Sequence, residues 1–596
     1  MSKEFFSTSQ VYFGDLHNHC GISYGHGPLE DSLANAQLQL DFVAITGHAA
    51  WPDMLDQPIP QEVVDYHKAG FDSLRRAWSH YSALMEQANQ EGKFVTFPSY
   101  EIHSFRYGDR TLISAQPIES IQTPDTPEEL ETYLNTVNSE TDSVLLIPHH
   151  IGYKQGFRGV NWDSITEAAS PIIEIVSMHG LADDTSGFPY LHTMGPLHGM
   201  NAYMEGLKRG LHLGLIGSTD HHSAHPGSYG YGKLGVWSSA LSREAIWEAL
   251  QQRRTYALTG DRIWLEFSVN DEPLGTILEP SDTRTIVVNA QASNEIDRVE
   301  IYKNGLMIDR YSPALERYTA MPARYNSTLA KHTPALARHT ATLDSNSIKQ
   351  SHTSVLDHSS ASGSENLSQG SSKSLSQHRS YSEGQPQVVE GYVCIEFGWG
   401  EKNQITSWDG TVECIHGTIL SVEPRFRGKD VVDPLETGDG LYKISSWSQE
   451  NDHLVRFSTV TFGNTTTTTS QTQAITFKVT GHLNTIIACN VMNQRFEVAL
   501  TDITHGAETF YTNGFVSPAI RFHQFIPLDV TKVSYVLEDR CSYDHDDSTG
   551  SVSPNNPKNV ESKTFVGNGQ QEDWYLVKII LVNGHLAIST PVWVKK

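Results

Sequence analysis

Cysteine is scarce and scattered. Cys20, Cys394, Cys414, Cys489 and Cys541 are odd in number and form no CxxC pair, which excludes a disulfide framework or a zinc finger as the organising device. Basic residues are also in deficit, with 43 Lys and Arg against 69 Asp and Glu and a formal charge of −26. A phosphate backbone or an anionic membrane needs a basic face, so neither nucleic acid nor membrane is expected as a general partner. Long apolar runs are missing too. MSKEFFSTSQ opens the chain without an apolar signal core, and no segment carries the ~20 apolar residues of a membrane span. A cytoplasmic location is the resulting expectation. A small phosphorylated substrate stays open, because bound metal can supply the positive charge that the surface lacks.

Histidine, by contrast, is plentiful and concentrated. The stretch DLHNHCGISYGH fills positions 15–26, directly after the apolar run VYFG at 11–14. Residues i and i+2 of an extended chain share a side, so Asp15, His17 and His19 would leave the end of a buried strand together. Neutral imidazole and carboxylate are donors suited to Zn, Mn or Fe.

The same arrangement recurs along the first 260 residues. Short apolar runs at 11–14, 42–46, 93–97, 144–148, 172–176 and 213–217 alternate with helix candidates near 30–39, 61–90, 127–138, 200–210 and 242–252. Repeated βα units predict a parallel sheet, closed or nearly closed into a barrel. After the successive runs come His48, then Glu101 and His103, then His149 and His150, then His179, then Asp220, His221 and His222. In an α/β barrel these strand ends converge on one mouth. His67 and His80 fall in the long helical stretch and are expected to be solvated; His192, His198 and His212 have no evident partner.

Beyond residue 260 the texture is β, with Asn304-Gly305 and Asn583-Gly584 marking hairpins in an expected antiparallel sandwich. Residues 321–388, rich in Ser, Thr, His and Gln, read as a disordered insertion. The expected division is a barrel over 1–265, a β domain over 266–320 and 389–596, and the insertion between its two parts.

With the histidines placed, the N-terminal half resembles the PHP superfamily of metal-dependent phosphoesterases. The resemblance rests on DLHNH, on ITGH (45–48), on Glu101, on a histidine after the fourth run and on the D-x-H of Asp220 and His222. YFGDLHNH and REAIWEALQQRRTYALTGDRI (243–263) further resemble the group named DUF3604. The resemblance implies a distorted (β/α)7 barrel holding two to three divalent ions, Zn, Mn or Fe. It would place His17, His19, Glu101 and Asp220 on one ion, and Glu101 with His149 or His150 and His179 on a second. His26, His48 and His222 would hold a third. Gly47 departs from the Asp usual in that family and Cys20 from its Thr or Ser.

Two metals sharing a carboxylate can acidify water and clamp a phosphoryl group. His221 and His225 are candidates to protonate a leaving oxygen, and Arg158 and Lys154 to reach a phosphate. The expected activity is hydrolysis of a small phosphorylated substrate. A metal-dependent amide, ester or lactone hydrolase is the alternative, and a binding protein with a vestigial barrel site is the third reading.

Overall fold

The computed structural model describes residues 2–124, 126–137, 143–184, 198–313, 388–399, 404–429, 442–462, 472–512, 518–540 and 572–596. Most of the 321–388 insertion, His192 and Cys541 lie outside the described residues. The described parts on either side of the insertion belong to one unit, Met1–Ala314 with Val388–Lys596.

The N-terminal strands are β1 (Gln10–Asp15), β2 (Phe42–Ala44), β3 (His48–Ala50), β4 (Val95–Phe97), β5 (Ser99–Ile102), β6 (Arg110–Ser114), β7 (Val144–Pro148), β8 (Ile172–Ser177), β9 (Gly180–Leu181), β10 (Gly214–Gly217), β11 (Lys233–Ser238) and β12 (Thr255–Leu258). Helices α1 (Ser2–Thr8), α2 (Leu29–Gln39), α3 (Gln61–Ala88), α4 (Pro127–Val137), α5 (Tyr203–Lys208) and α6 (Arg243–Gln251) lie among them. The short helix α1 has no counterpart in the sequence reading; its Phe6 ring packs edge-on against Trp237. The longest helix, α3, buries Val64, Phe71, Leu74, Trp78, Tyr81 and Met85, a spacing of three, four and seven that makes one apolar stripe.

Pairing departs from a single closed parallel sheet. Strands β1, β2 and β4 are parallel, as are β3 with β5 and β8 with β10. However, β6 runs antiparallel to both β5 and β7, and β11 runs antiparallel to β1. The loop between β5 and β6 is too short for a crossover, which takes a dozen residues or more, so the chain returns antiparallel. The strands therefore form three hydrogen-bonded groups. They still share one apolar cluster, built from Phe42, Val95, Ile113, Leu145, Ile172, Ile216 and Leu234.

The rest of the chain is β. A four-stranded antiparallel sheet contains Ile263–Val269, Thr283–Ala292 and Lys532–Arg540. A nine-stranded sheet is built on the long strands Ile405–Arg425 and Gln473–Val491. Asn304 and Gly305, both at positive φ, close the hairpin of Ile296–Lys303 with Leu306–Tyr311, the backbone that an Asn-Gly turn favours. The last strands do not belong with the nine-stranded sheet. Leu586–Ser589 pairs with β12, and Glu572–Leu581 pairs in turn with Leu586–Ser589. The C-terminus thus extends the sheet that begins at β1. Among the described residues no helix is long and apolar enough to cross a membrane.

Candidate metal centre

Two chain segments about 200 residues apart are laid side by side at the end of β1. The amide of Asp220 donates to the His17 carbonyl at 2.7 Å, and that of His19 donates to the His221 carbonyl at 2.8 Å. Asp220 sits at a φ of 52°, a left-handed conformation that a short polar side chain tolerates better than most. Asp15 supports this arrangement from behind. Its carboxylate accepts from the amides of His17, Thr219 and Gly227 and from the Thr219 hydroxyl. It is a brace between the two segments, with its oxygens already occupied.

In front of the brace, imidazoles converge on two buried carboxylates. Asp220 Oδ1 lies 3.0 Å from His19 Nε2 and 3.3 Å from His17 Nε2, and its Oδ2 lies 3.1 Å from His179 Nε2 and 3.6 Å from His150 Nε2. Glu101 Oε1 is 2.8 Å from Nε2 of both His103 and His149. Its Oε2 is 3.3 Å from His48, 3.5 Å from His19 and 3.9 Å from His17. The His48 ring is sandwiched between His19 at 3.9 Å and Tyr24 at 3.6 Å, centroid to centroid. Close donor groups, each able to hold one ion, comprise His19, His48 and His222; His17, His19 and Glu101; His48, Glu101 and His103; His150, His179 and Asp220; and Glu101, Asp109, His149 and His150.

Both members of the His149-His150 pair reach a carboxylate, His149 on Glu101 and His150 on Asp220. His26 ties its backbone amide to the His222 carbonyl, but its ring is in none of the close groups. A Cβ at Gly47 would lie 2.7 Å from a Leu74 methyl of α3, so a side chain there requires that leucine to shift. Cys20 is packed in the apolar cluster with Leu29, Leu33 and Leu74, and burial pushes its thiol up to about 12. It is an inert neighbour of the donors.

The candidate acids flank the cluster without bonding to its carboxylates. His221 stacks on Tyr231 and lies beside Gly428, as does His225. Neither makes a hydrogen bond or ion pair with Glu101 or Asp220 among the described residues. Lys154 is exposed, with its ammonium over the Phe157 ring. Arg158 does reach the cluster: it donates to Asp109 at 2.5 Å, its terminal nitrogen is 3.3 Å from His103 Nε2, and its guanidinium lies over Trp51.

Three participants were not assigned from sequence. Glu174, within the apolar run of β8, faces His17 Nδ1 at 2.9 Å and orients the ring, the outer-shell role that carboxylates commonly play beside metal-binding histidines. Asp109 holds Arg158. His67 is half-buried rather than freely solvated: its ring packs against Tyr24 at 4.7 Å and Trp51 at 5.1 Å, near His103 at 6.2 Å. Burial, with Arg158 adding, pushes it down to about 4. Of the other histidines set aside, His80 is exposed and paired with Glu30, whereas His212 bridges Glu167 and Glu572.

Electrostatically the two carboxylates behave alike. Burial alone would raise both, but the imidazoles around them outweigh it and hold each well below the usual carboxylate range. Burial pushes Glu174 up to about 7 against the pull of His17.

Known proteins resemble parts of this chain. Residues 227–272 match the family described as "Protein of unknown function (DUF3604)". An uncharacterized protein of Chlamydia pneumoniae is 22% identical over 261 residues, 40% of this chain and 41% of that protein. One from Chlamydia trachomatis is 23% identical over 249 residues, 38% and 39% of the respective chains. The chain therefore spans about two fifths of the length of these curated relatives. Among solved structures, a two-domain protein from Bacteroides vulgatus containing a predicted PHP-like metal-dependent phosphoesterase is similar at a TM-score of 0.28 and 15% identity. The match covers 51% of this chain and 86% of that one. A likeness at that level fixes neither fold nor chemistry.

Proposed function

We propose that the chain is a hydrolase that uses two or three divalent ions held by Glu101, Asp220 and the histidines around them, and that its substrate is a small phosphate ester. One observation carries this reading: two buried carboxylates face imidazole nitrogens, and among the described residues no lysine or arginine pairs with them directly. His17 Nδ1 faces the Glu174 carboxylate, so it donates there, and a neutral ring then turns a lone pair toward Asp220 Oδ1. Lone pair against carboxylate is repulsive unless a cation lies between them. Without a metal the cluster resolves this by protonation: burial opposes it, yet Asp220 and Glu174 hold the His17 ring well above its usual value. Glu101 Oε2 has no hydrogen bond even so. A divalent cation held there would replace that proton and satisfy the donors.

His17 and His19 with Glu101 would hold one ion, and His150 and His179 with Asp220 a second. His19, His48 and His222 form an alternative donor group that competes with the first for His19. Such ions supply Lewis acidity, which acidifies water and offsets charge developing on a phosphoryl oxygen. The chain's own part is to fix donors and exclude water. Glu174 fixes the His17 tautomer, Ser23 engages His48 Nδ1, and Asp109 holds Arg158 beside His103 of the cluster. Arg158 is the side chain placed to meet an anionic substrate.

The test is turnover of p-nitrophenyl phosphate and nucleoside monophosphates by protein reconstituted with Zn, Mn or Fe. Metal-dependent release of phosphate is expected. Cleavage of an ester or lactone instead, lost in Asp220→Asn, would keep the centre and overturn the substrate class.

A further inference from the structure

A second polar cluster lies away from the carboxylate cluster, where the β12 sheet, the 221–232 loop and the nine-stranded sheet meet. It surrounds Tyr229. Three cations sit within 6 Å of that one phenol ring: Arg425 and Arg427 each at 5.3 Å from its centroid and Lys233 at 5.9 Å. Among the described residues Arg425 pairs with Asp261 at 3.0 Å, and Glu423 acts at longer range on both Arg425 and Lys233. Neither Lys233 nor Arg427 forms an ion pair among the described residues. In a chain of charge −26 this concentration of positive charge is local and has to be accounted for.

The space beside it is a cavity of about 370 Å³ lined by Tyr229, Arg425, Arg427, Glu396, His523 and His585, among others, within the size range of small-molecule sites. Of the two acids that line it, Glu396 receives His523 Nε2 at 2.8 Å and also feels Arg427, and Glu295 is the other. The His585 ring is lowered by burial and by the field of Arg425, Arg427 and Lys233, although Asp261 pulls the other way. Lys233 and Arg425 are buried and Arg427 is partly so; Asp261 and Glu423 offset part of their mutual repulsion, and an anion in the cavity would offset more of it.

We propose that this cavity binds a small ligand through an oxyanion, a phosphate or a carboxylate, with Arg427 as its direct partner and Arg425 and Lys233 adding to the field. The guanidinium of Arg427 suits either group, because its planar fork matches both. The proposal does not depend on metal at the other site. Arg427 can be replaced with little risk to the fold, because what holds the segment is its backbone: the amide donates to Gln473 Oε1, and the carbonyl accepts from Gln473 Nε2.

The experiment is calorimetric titration of the full-length, metal-loaded protein with inorganic phosphate and, separately, with citrate. At least one anion is expected to bind, and Arg427→Gln should weaken it about tenfold or more, with partial recovery in Arg427→Lys. Asp220→Asn should leave that binding event in place. Binding of phosphate alone, or of citrate alone, supports the site and assigns its headgroup. The proposal is overturned if Arg427→Gln binds as wild type does. Loss of binding in Asp220→Asn alone would also overturn it, by placing the anion on the metal cluster. So would the absence of heat with both anions up to about 10 mM, a concentration that would saturate a millimolar site.

Discussion

The molecule buries carboxylates in two different ways. Asp261 is answered by groups that donate at any ordinary pH: Tyr229 Oη at 2.6 Å, Arg425 at 3.0 Å and Asn583 Nδ2 at 2.8 Å. Glu101 and Asp220 are answered by imidazoles, which donate or accept according to their proton. A buried acid with permanent donors is complete and serves the structure. A buried pair facing titratable rings is complete when those rings are protonated or when a cation lies between them, and the proposed metal centre rests on the second of these.

The largest expected effect separates the two regions by activity. Asp220→Asn and Glu101→Gln should each lower hydrolysis by on the order of 10³ or more and reduce bound metal, while the folded protein survives. Turnover with metal content measured on the same samples checks this. Asp261→Asn should do the reverse. It leaves Arg425 buried against a neutral amide, at a cost of about 3–5 kcal/mol in stability, with metal content unchanged. Thermal denaturation reads the first, and an unshifted midpoint would erase the contrast.

Glu174→Gln removes the carboxylate that orients His17 and should weaken metal binding by about 10–100-fold, as measured by competition with a chelator. The smallest effect belongs to His212, whose partners are ordinary half-buried acids. Its ring is raised by the hydrogen bond to Glu167, with burial opposing and Glu572 adding. A raised folded value means the stabilisation is fully present below the unfolded value of 6.5 and is lost as pH rises through the folded one. His212→Gln should therefore cost under about 1 kcal/mol at low pH, with the gap to wild type closing as pH rises.

The donors were legible because strand ends are. The alternation of Asp15, His17 and His19 after an apolar run needs only the two-residue period of an extended chain to place two imidazoles on one side. Glu174 was hidden because its partner His17 is 157 positions away and nothing local distinguishes a carboxylate in IIEIV from a strand charge. His67 was readable and misread: it stands three residues after Val64 and four before Phe71, on the stripe that α3 buries. The antiparallel return at β6 and the pairing of Leu586–Ser589 with β12 are choices of register and partner over long separations. Composition and periodicity mark such segments as strands without naming the neighbour.

The central claim is that Glu101 and Asp220 are buried for metal. Its most direct test is elemental analysis of the protein after reconstitution with Zn, Mn or Fe and removal of free ion. Two to three equivalents per chain are expected, falling in Asp220→Asn but not in Asp261→Asn. Fewer than one equivalent in wild type would contradict the account.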